Sequence, residues 1–455
     1  MPGGDTESLI TYGIGVLVLI FLLVAGIVKW KRFVYWFEEG ELRIEYGLFV
    51  KKKRYIPFER IQSLDYTEGL FHRPLGLVRV KVETAGGGQI EGAEAELTAI
   101  SRRDAERIEE EMERVKAYGH LSADEAKQAN DPAIGQSEEV RQIYRISGQE
   151  LLVLAATSGG IGVILSGIAI FLSQFSEVIP YESIYSEIMI FLRFGILIVA
   201  LALFVGLLLI WFVSLILTVM SNYRFTVMAN EENIIITRGL LEKKRVTIPF
   251  KRIQAIHVTQ NPLREILGYT AVTVESAGGT VSEMGNDKIR LLPLVKKHDM
   301  LQVLETLFPE MEWAPELMKA PVRSVHFFYR FDFIWLLPAA GVLSYFFFPY
   351  GLLALLALPV SVALGIWQHR TAGWMTSDKQ LTLQFRAFGK HTFYMLKKRV
   401  QAIEIKQSWF QRRKNVASVQ ATVKSGAFGA AARAEHLEQQ DAHVILQWFR
   451  PKKRI

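Results

Sequence analysis

The chain has no cysteine among its 455 residues. Disulfides, thiolate metal sites and cysteine nucleophiles are therefore excluded. The short motifs of common chemistries are also missing. No Gly-rich loop follows the P-loop or dinucleotide pattern, and there is no nucleophile elbow and no HExxH. The nine histidines, His72, His120, His257, His298, His326, His369, His391, His436 and His443, are scattered. No pair of them has metal-ligand spacing with a carboxylate, so they read as surface or boundary residues. No catalytic residue, cofactor or metal is expected. Cations are absent over one long stretch: no Lys or Arg lies between Ile146 and Leu192.

What the chain does have is apolar length. Hydrophobic residues make up 50% of it, concentrated in a few runs. Leu9 to Val28 is uncharged and as long as a bilayer-spanning helix needs, which places a first transmembrane helix at residues 9–29. Asp5 and Glu7 precede it, and Lys29, Lys31 and Arg32 follow. A cleavable signal peptide carries its cations first. This pattern is an uncleaved anchor with its N-terminus outside. Two hairpins of spans follow. Residues 150–220 hold the second and third spans, joined by a loop with Glu177, Glu182 and Glu187. Residues 331–368 hold the fourth and fifth, around Pro349-Tyr350-Gly351. Arg141, Arg145 and Arg224 flank the first hairpin, and Arg323, Arg330 and Arg370 the second. Every flank puts the intervening segments on the cytoplasmic side of a cell membrane. The net charge of +7 follows from that bias and requires no nucleic acid. Asp332, at the basic end of the fourth span, reads as an interfacial residue paired with Arg330.

The segments between the spans repeat. Ile56 to Gly87 reads IPFERIQSLDYTEGLFHRPLGLVRVKVETAGG, and Ile248 to Gly279 reads IPFKRIQAIHVTQNPLREILGYTAVTVESAGG. Ile56 and Ile248 are 192 residues apart, as are Glu83 and Glu275. A worn third copy runs from Met395 to Ile403 and again over Thr422 to Gly426. One module is thus used three times. Leu42 to Tyr46, Val78 to Val82, Ala271 to Val274 and Leu381 to Phe385 alternate or are β-branched, which predicts strands. Ser101 to Ala117, Val295 to Phe308 and Ala442 to Phe449 predict closing amphipathic helices. The modules are expected at 33–118, 221–320 and, in degenerate form, 370–455, with a polar linker at 119–140.

These residues resemble a known family. The IPF(E/K)RIQ segment, the Leu75-Gly76 and Leu267-Gly268 loops, and the strands ending Glu83-Thr84-Ala85-Gly86-Gly87 and Glu275-Ser276-Ala277-Gly278-Gly279 are similar to those of bacterial pleckstrin-homology-like membrane proteins. Three units in one chain resemble the YdbT-like members from Gram-positive bacteria. Copy three departs, with Met395-Leu396 for Ile-Pro and Ser425 to Gly429 for the Gly-Gly ending. The resemblance implies an α+β membrane protein: transmembrane helices plus three pleckstrin-homology-like antiparallel β modules, each closed by a helix. It also implies a hetero-oligomer with a smaller one-module membrane relative, and a place in envelope stress or bacteriocin tolerance.

Two residue sets stand out. Lys51, Lys52, Lys53 and Arg54 recur as Lys243, Lys244 and Arg245, at the turn of an early hairpin facing the bilayer. They are candidate contacts for anionic membrane lipids or a partner. Arg60, Arg252 and Arg399, with Gln62, Gln254 and Gln401, recur in register. They read as structural, an Arg stem covering apolar surface and a Gln satisfying strand-edge groups. The expected function is non-catalytic assembly or inner-leaflet contact. The alternative is transport of a peptide or lipid through the spans.

Overall fold

A computed structural model describes residues 4–38, 40–47, 50–70, 72–84, 95–120, 140–158, 166, 196–277, 289–425 and 429–450. Most of the expected linker, most of the second span beyond Ser158, the start of the third, both Gly-Gly endings and the basic tail at 451–454 lie outside these. Two compact units divide the chain: residues 1–66 with 71–137, and residues 67–70 with 138–455.

The first unit begins with helix α1 (Gly4–Lys31). Its described side chains stand clear of the rest of the protein, Leu17 being 69% and Phe21 68% exposed. A bilayer is the solvent that suits such a helix. Strands β1 (Val34–Glu38), β2 (Glu41–Tyr46) and β3 (Lys52–Pro57) form an antiparallel sheet, with Tyr35 opposite Ile44 and Ile44 opposite Arg54. A 3-10 turn at Phe58–Arg60 leads into β4 (Ile61–Glu68), β5 (Leu77–Thr84) and β6 (Ala95–Ser101), then helix α2 (Arg102–His120). The alternation of β5 sends Val78, Val80 and Val82 into the core while Arg79 faces water. They meet Leu42, Ile44 and Ile56 from the first sheet and Ile108 from α2. Each such burial stabilises by about 1.5–3 kcal/mol.

The second unit holds two further modules. Strand β7 (Arg141–Arg145) precedes helix α3 (Gly148–Thr157), whose start is fixed by a Ser147/Glu150 capping box. Helix α4 (Ile196–Asn222) returns to β8 (Thr226–Ala229), β9 (Asn233–Arg238) and β10 (Lys243–Pro249). β7 pairs with β8, Arg141 opposite Ala229. A strand ahead of the first hairpin therefore belongs to the sheet that follows it, outside the 221–320 range expected for this module. β11 (Ile253–Gln260), β12 (Tyr269–Ser276) and β13 (Ile289–Lys296) make its other sheet, closed by α5 (Lys297–Leu307).

The same insertion recurs. β14 (Met318–Lys319) lies ahead of the second hairpin and pairs with β15 (Gly373–Thr376) after it. The hairpin consists of α6 (Arg330–Phe346), a 3-10 stretch at Tyr350–Leu356 and α7 (Ala357–Thr371). Among the described residues, three helical stretches are long and apolar enough to cross a membrane: Gly13–Lys31, Phe204–Asn222 and Tyr350–Thr371. The Asp332–Phe346 segment is a shorter apolar helix. β16 (Gln380–Arg386) and β17 (Lys390–Leu396) complete one sheet of the third module. β18 (Val400–Lys406), β19 (Val416–Val423) and β20 (Ala430–Glu438) form the other, closed by α8 (Gln439–Phe449).

The two modules of this unit are fused through their sheets. The strand order β13-β12-β11-β17-β16-β15-β14 runs without a break. β11 and β17 pair antiparallel from Ala255–Met395 to Gln260–Lys390. Each lends a side chain to its neighbour's core: Tyr394 packs in the second module and Ala255 in the third.

Candidate functional site

The basic clusters do not form a turn. Lys52, Lys53 and Arg54 open strand β3, and Lys243, Lys244 and Arg245 open β10. The turns just before them are set by Gly47 (φ +127°) and Gly239 (φ +107°). A Cβ there would collide with Val50 O and Glu242 O respectively. Two backbone bonds, Gly239 N to Tyr223 O (3.0 Å) and Leu240 N to Met220 O (2.9 Å), hold the second of these turns against the end of α4. The cations therefore do sit where a spanning helix ends.

In the first unit Arg54, the last of them, borders a cavity. About 520 Å³ lies between the end of α1 and the module, lined by Lys29, Trp30, Phe33, Tyr46, Arg54 and Glu96 among others. Arg54 and Lys29 bring positive charge, and Trp30, Phe33 and Tyr46 bring aromatic faces of the kind found at headgroup level. Lys51 and Lys53 both pair with Glu45, the latter at 2.8 Å. Those two cations hold the Glu45 carboxyl below its usual range, and Glu45 in turn raises Lys53. Lys244 lies 3.5 Å from Glu242.

The recurring Arg and Gln residues divide. Arg252 Nε donates to Ala277 O at 2.9 Å, tying the 3-10 turn Phe250–Arg252 to the end of β12, and Gln254 Nε2 donates to Arg252 O at 2.9 Å. Arg60 and Gln401 are exposed, and Gln62 is half-buried. Arg399 and Gln254 come to one place. They line a cavity of about 530 Å³ at the seam of the second and third modules, with Phe250, Phe308 and Tyr394. Arg399 Nε is buried there without a hydrogen-bond partner.

Several residues take on a role through long-range contacts that no local period marks. Tyr394 donates to Trp313 O at 3.0 Å, and burial raises its hydroxyl to about 12. His257 Nε2 and His391 Nδ1 are 3.0 Å apart. Glu275, 3% exposed, accepts from Ser425 Oγ at 2.6 Å. Arg386 grips Glu265 at 2.7 and 2.9 Å and lies 3.8 Å over the Trp367 ring. Asp332 accepts from Ser361 Oγ at 2.6 Å, while Arg330 stacks on Phe410 at 4.1 Å. Asp332 thus has a hydroxyl partner on the adjacent helix.

Helices of spanning length carrying repeated pairs of antiparallel sheets, each pair closed by a helix, define a membrane protein of α+β class. Three stretches, residues 7–116, 168–311 and 332–453, match the Bacterial PH domain model, and the chain belongs to that family. The UPF0699 transmembrane protein YdbT of Bacillus subtilis (strain 168) is 35% identical over 442 residues, which cover 97% of this chain and 89% of the relative.

Proposed function

We propose that the chain is a non-catalytic, multi-pass membrane protein whose PH-like modules act as assembly units, joined through the edges of their sheets. The observation that carries this reading is the β11–β17 ladder. Sheet edges bind strands by main-chain hydrogen bonds, whichever chain supplies the strand. The basic flanks of the spans support modules on the cytoplasmic side and an N-terminus outside. Both hairpins leave and re-enter one sheet, through β7–β8 and β14–β15, which agrees with that topology. A smaller one-module membrane relative, implied by the sequence resemblance, is a partner of the right make. The test is mild solubilisation from native membranes followed by mass determination of the particle. A mass above one chain is expected. A single chain at every protein concentration would overturn the proposal.

A second reading, inner-leaflet contact, is favoured by the cavity between α1 and the first module. Each basic residue at an anionic surface contributes about 1 kcal/mol. Native mass spectrometry from nanodiscs should find phosphatidylglycerol retained by the chain and phosphatidylcholine not. Retention should fall when Lys29→Gln and Arg54→Gln are combined. Equal retention of both lipids would end this reading.

A further inference from the structure

The assembly reading leaves one strand edge unexplained. In the second module, β11 is covered on both sides, by β12 and by β17. Its residues from Ile253 to Val258 are all buried. The equivalent strand of the third module is β18, since Arg252-Ile253-Gln254-Ala255-Ile256 and Arg399-Val400-Gln401-Ala402-Ile403 are copies. Among the described residues, β18 is the outer strand of a three-stranded sheet and pairs with β19 alone. Gln401, Ala402, Glu404 and Lys406 are exposed, and Ile403 and Ile405 are only half-buried.

The chain also carries the matching strand. β17, the strand that covers β11, stands just before the 3-10 turn Lys397–Arg399 of its module, and β3 stands just before the turn Phe58–Arg60 of the first module. Among the described residues, β3 is likewise the outer strand of a three-stranded sheet, pairing with β2 alone. The two strands share a tyrosine in register, Tyr394 in β17 and Tyr55 in β3. Tyr394 is 7% exposed because it plugs into the neighbouring module's core. Tyr55 is 52% exposed. An aromatic side chain used as a plug at one copy of the repeat lies open at the other.

We propose that copies of this chain associate head to tail, the outer edge of β18 in one copy pairing antiparallel with the outer edge of β3 in the next. Transferring the β11–β17 register sets Ala402 opposite Ile56, Ile403 opposite Tyr55 and Glu404 opposite Arg54. Tyr55 then enters beside Ile403 and Ile405, as Tyr394 enters beside Ile256. Opposite charges face each other at Glu404 and Arg54, the favourable cross-strand arrangement. Lys406 faces Lys52 at the end of the ladder, where like charges weaken the pairing. The directions suit two copies in one bilayer. β3 starts beside the end of α1, and β18 runs toward the short helix whose Phe410 lies under Arg330 at the start of α6. Because the two edges differ, the contact is heterologous and propagates into rows of copies unless the rotation closes a ring.

The absence of cysteine makes the test clean. Full-length chains with Arg54→Cys and with Glu404→Cys, carrying different tags, are placed in the same membranes and treated with a short bis-maleimide. A covalent mixed dimer is expected, with neither variant dimerising alone. The double variant should give a ladder of dimers, trimers and longer species, and adding Tyr55→Ala should reduce the ladder several-fold. Val444→Cys, exposed on α8, serves as an off-edge control in place of Glu404→Cys and should give no mixed dimer. Lys52→Cys with Lys406→Cys, opposite in the same register, repeats the test should the first pair misfold. A crosslink from Glu404→Cys to a different protein would overturn the second-copy inference while leaving the assembly reading standing. Crosslinks confined to one chain, or none with either pair, would overturn the inference. Monomeric mass in the same membranes would remove the assembly reading as well.

Discussion

His257 of β11 and Phe393 of β17 stand directly opposite each other across the seam of the second and third modules, their rings stacked at 3.9 Å and 12°. Both are buried, at 4% and 3% exposure. Removing the Phe393 ring opens a cavity at the seam where β11 and β17 join the two sheets. Phe393→Ala should cost about 3–5 kcal/mol. Because β11 and β17 share a ladder, the loss should destabilise both modules together. Thermal unfolding of the full chain in nanodiscs, followed by hydrogen exchange on β12 and β16, checks this. Protection lost in β16 alone would show that the seam transmits nothing.

The Arg386–Glu265 pair makes a sharper test of buried charge. The Arg386 side chain is 1% exposed and Glu265 is 33% exposed. Arg386 Nε also donates to Thr371 Oγ1 at 2.9 Å, so the guanidinium joins the short helix Pro262–Ile266 to the end of the second hairpin. Glu265→Gln leaves a desolvated cation with no counter-charge in place of Glu265, only the Trp367 face, the Thr371 hydroxyl and a neutral amide. It should destabilise by about 3 kcal/mol, the lower end for breaking a buried pair. Arg386→Met removes the charge along with the need for a partner and should cost less. A melting series in which Arg386→Met is the worse of the two would refute this ordering.

Gly239 gives a backbone prediction. Its φ of +107° is one that side chains rarely adopt, and a Cβ would run into Glu242 O. Gly239→Ala should destabilise by about 1–3 kcal/mol and loosen the turn that meets α4 at Tyr223. Protease cutting near Lys243 should rise. An unchanged melting temperature would mean that the turn can be rebuilt freely.

The residues legible in the sequence are those with a local period or a repeat. Val78, Val80 and Val82 declared a buried strand face, and Ile108 and Met112 a helix face that lies on it. The 192-residue offset also carried Gly47 and Gly239 into the same left-handed turn. Contacts across long separations were not legible. Arg141–Arg145 has charged ends and five residues, too few to separate a strand from a hairpin flank. It is a strand because Thr226–Ala229 supplies the other half of the ladder, on the far side of the membrane hairpin. Glu265 finds Arg386 at 121 residues' distance, and nothing in either neighbourhood marks the pair. The recurring Gln254 and Arg399 were visible as residues, but their meeting in one cavity depends on how β11 and β17 join. Tyr394 had no distinguishing context until its burial set it apart from Tyr55.

A pH prediction follows from His436 on β20. The ring lies near His326 and His369 and packs against Phe327 (5.3 Å) and Phe328 (4.7 Å). Burial, with a smaller contribution from those two histidines, pushes it from near 6.5 down to about 4. Gln411 Nε2 is 2.8 Å from His436 Nδ1, and an amide donor there requires that nitrogen to be bare. Above pH 6.5 the ring is neutral whether folded or unfolded, and it costs nothing. As pH falls through 6.5 the unfolded chain takes up a proton that the folded chain refuses until about 4. Stability is therefore lost across that window, by about 2–3 kcal/mol at its acid end. His436→Asn keeps an acceptor for Gln411 and tolerates the φ of +56° at this position. Melting temperatures at pH 7.5 and 4.5 should differ less in this variant than in the parent chain. Equal acid sensitivity of the two would place the titrating group elsewhere.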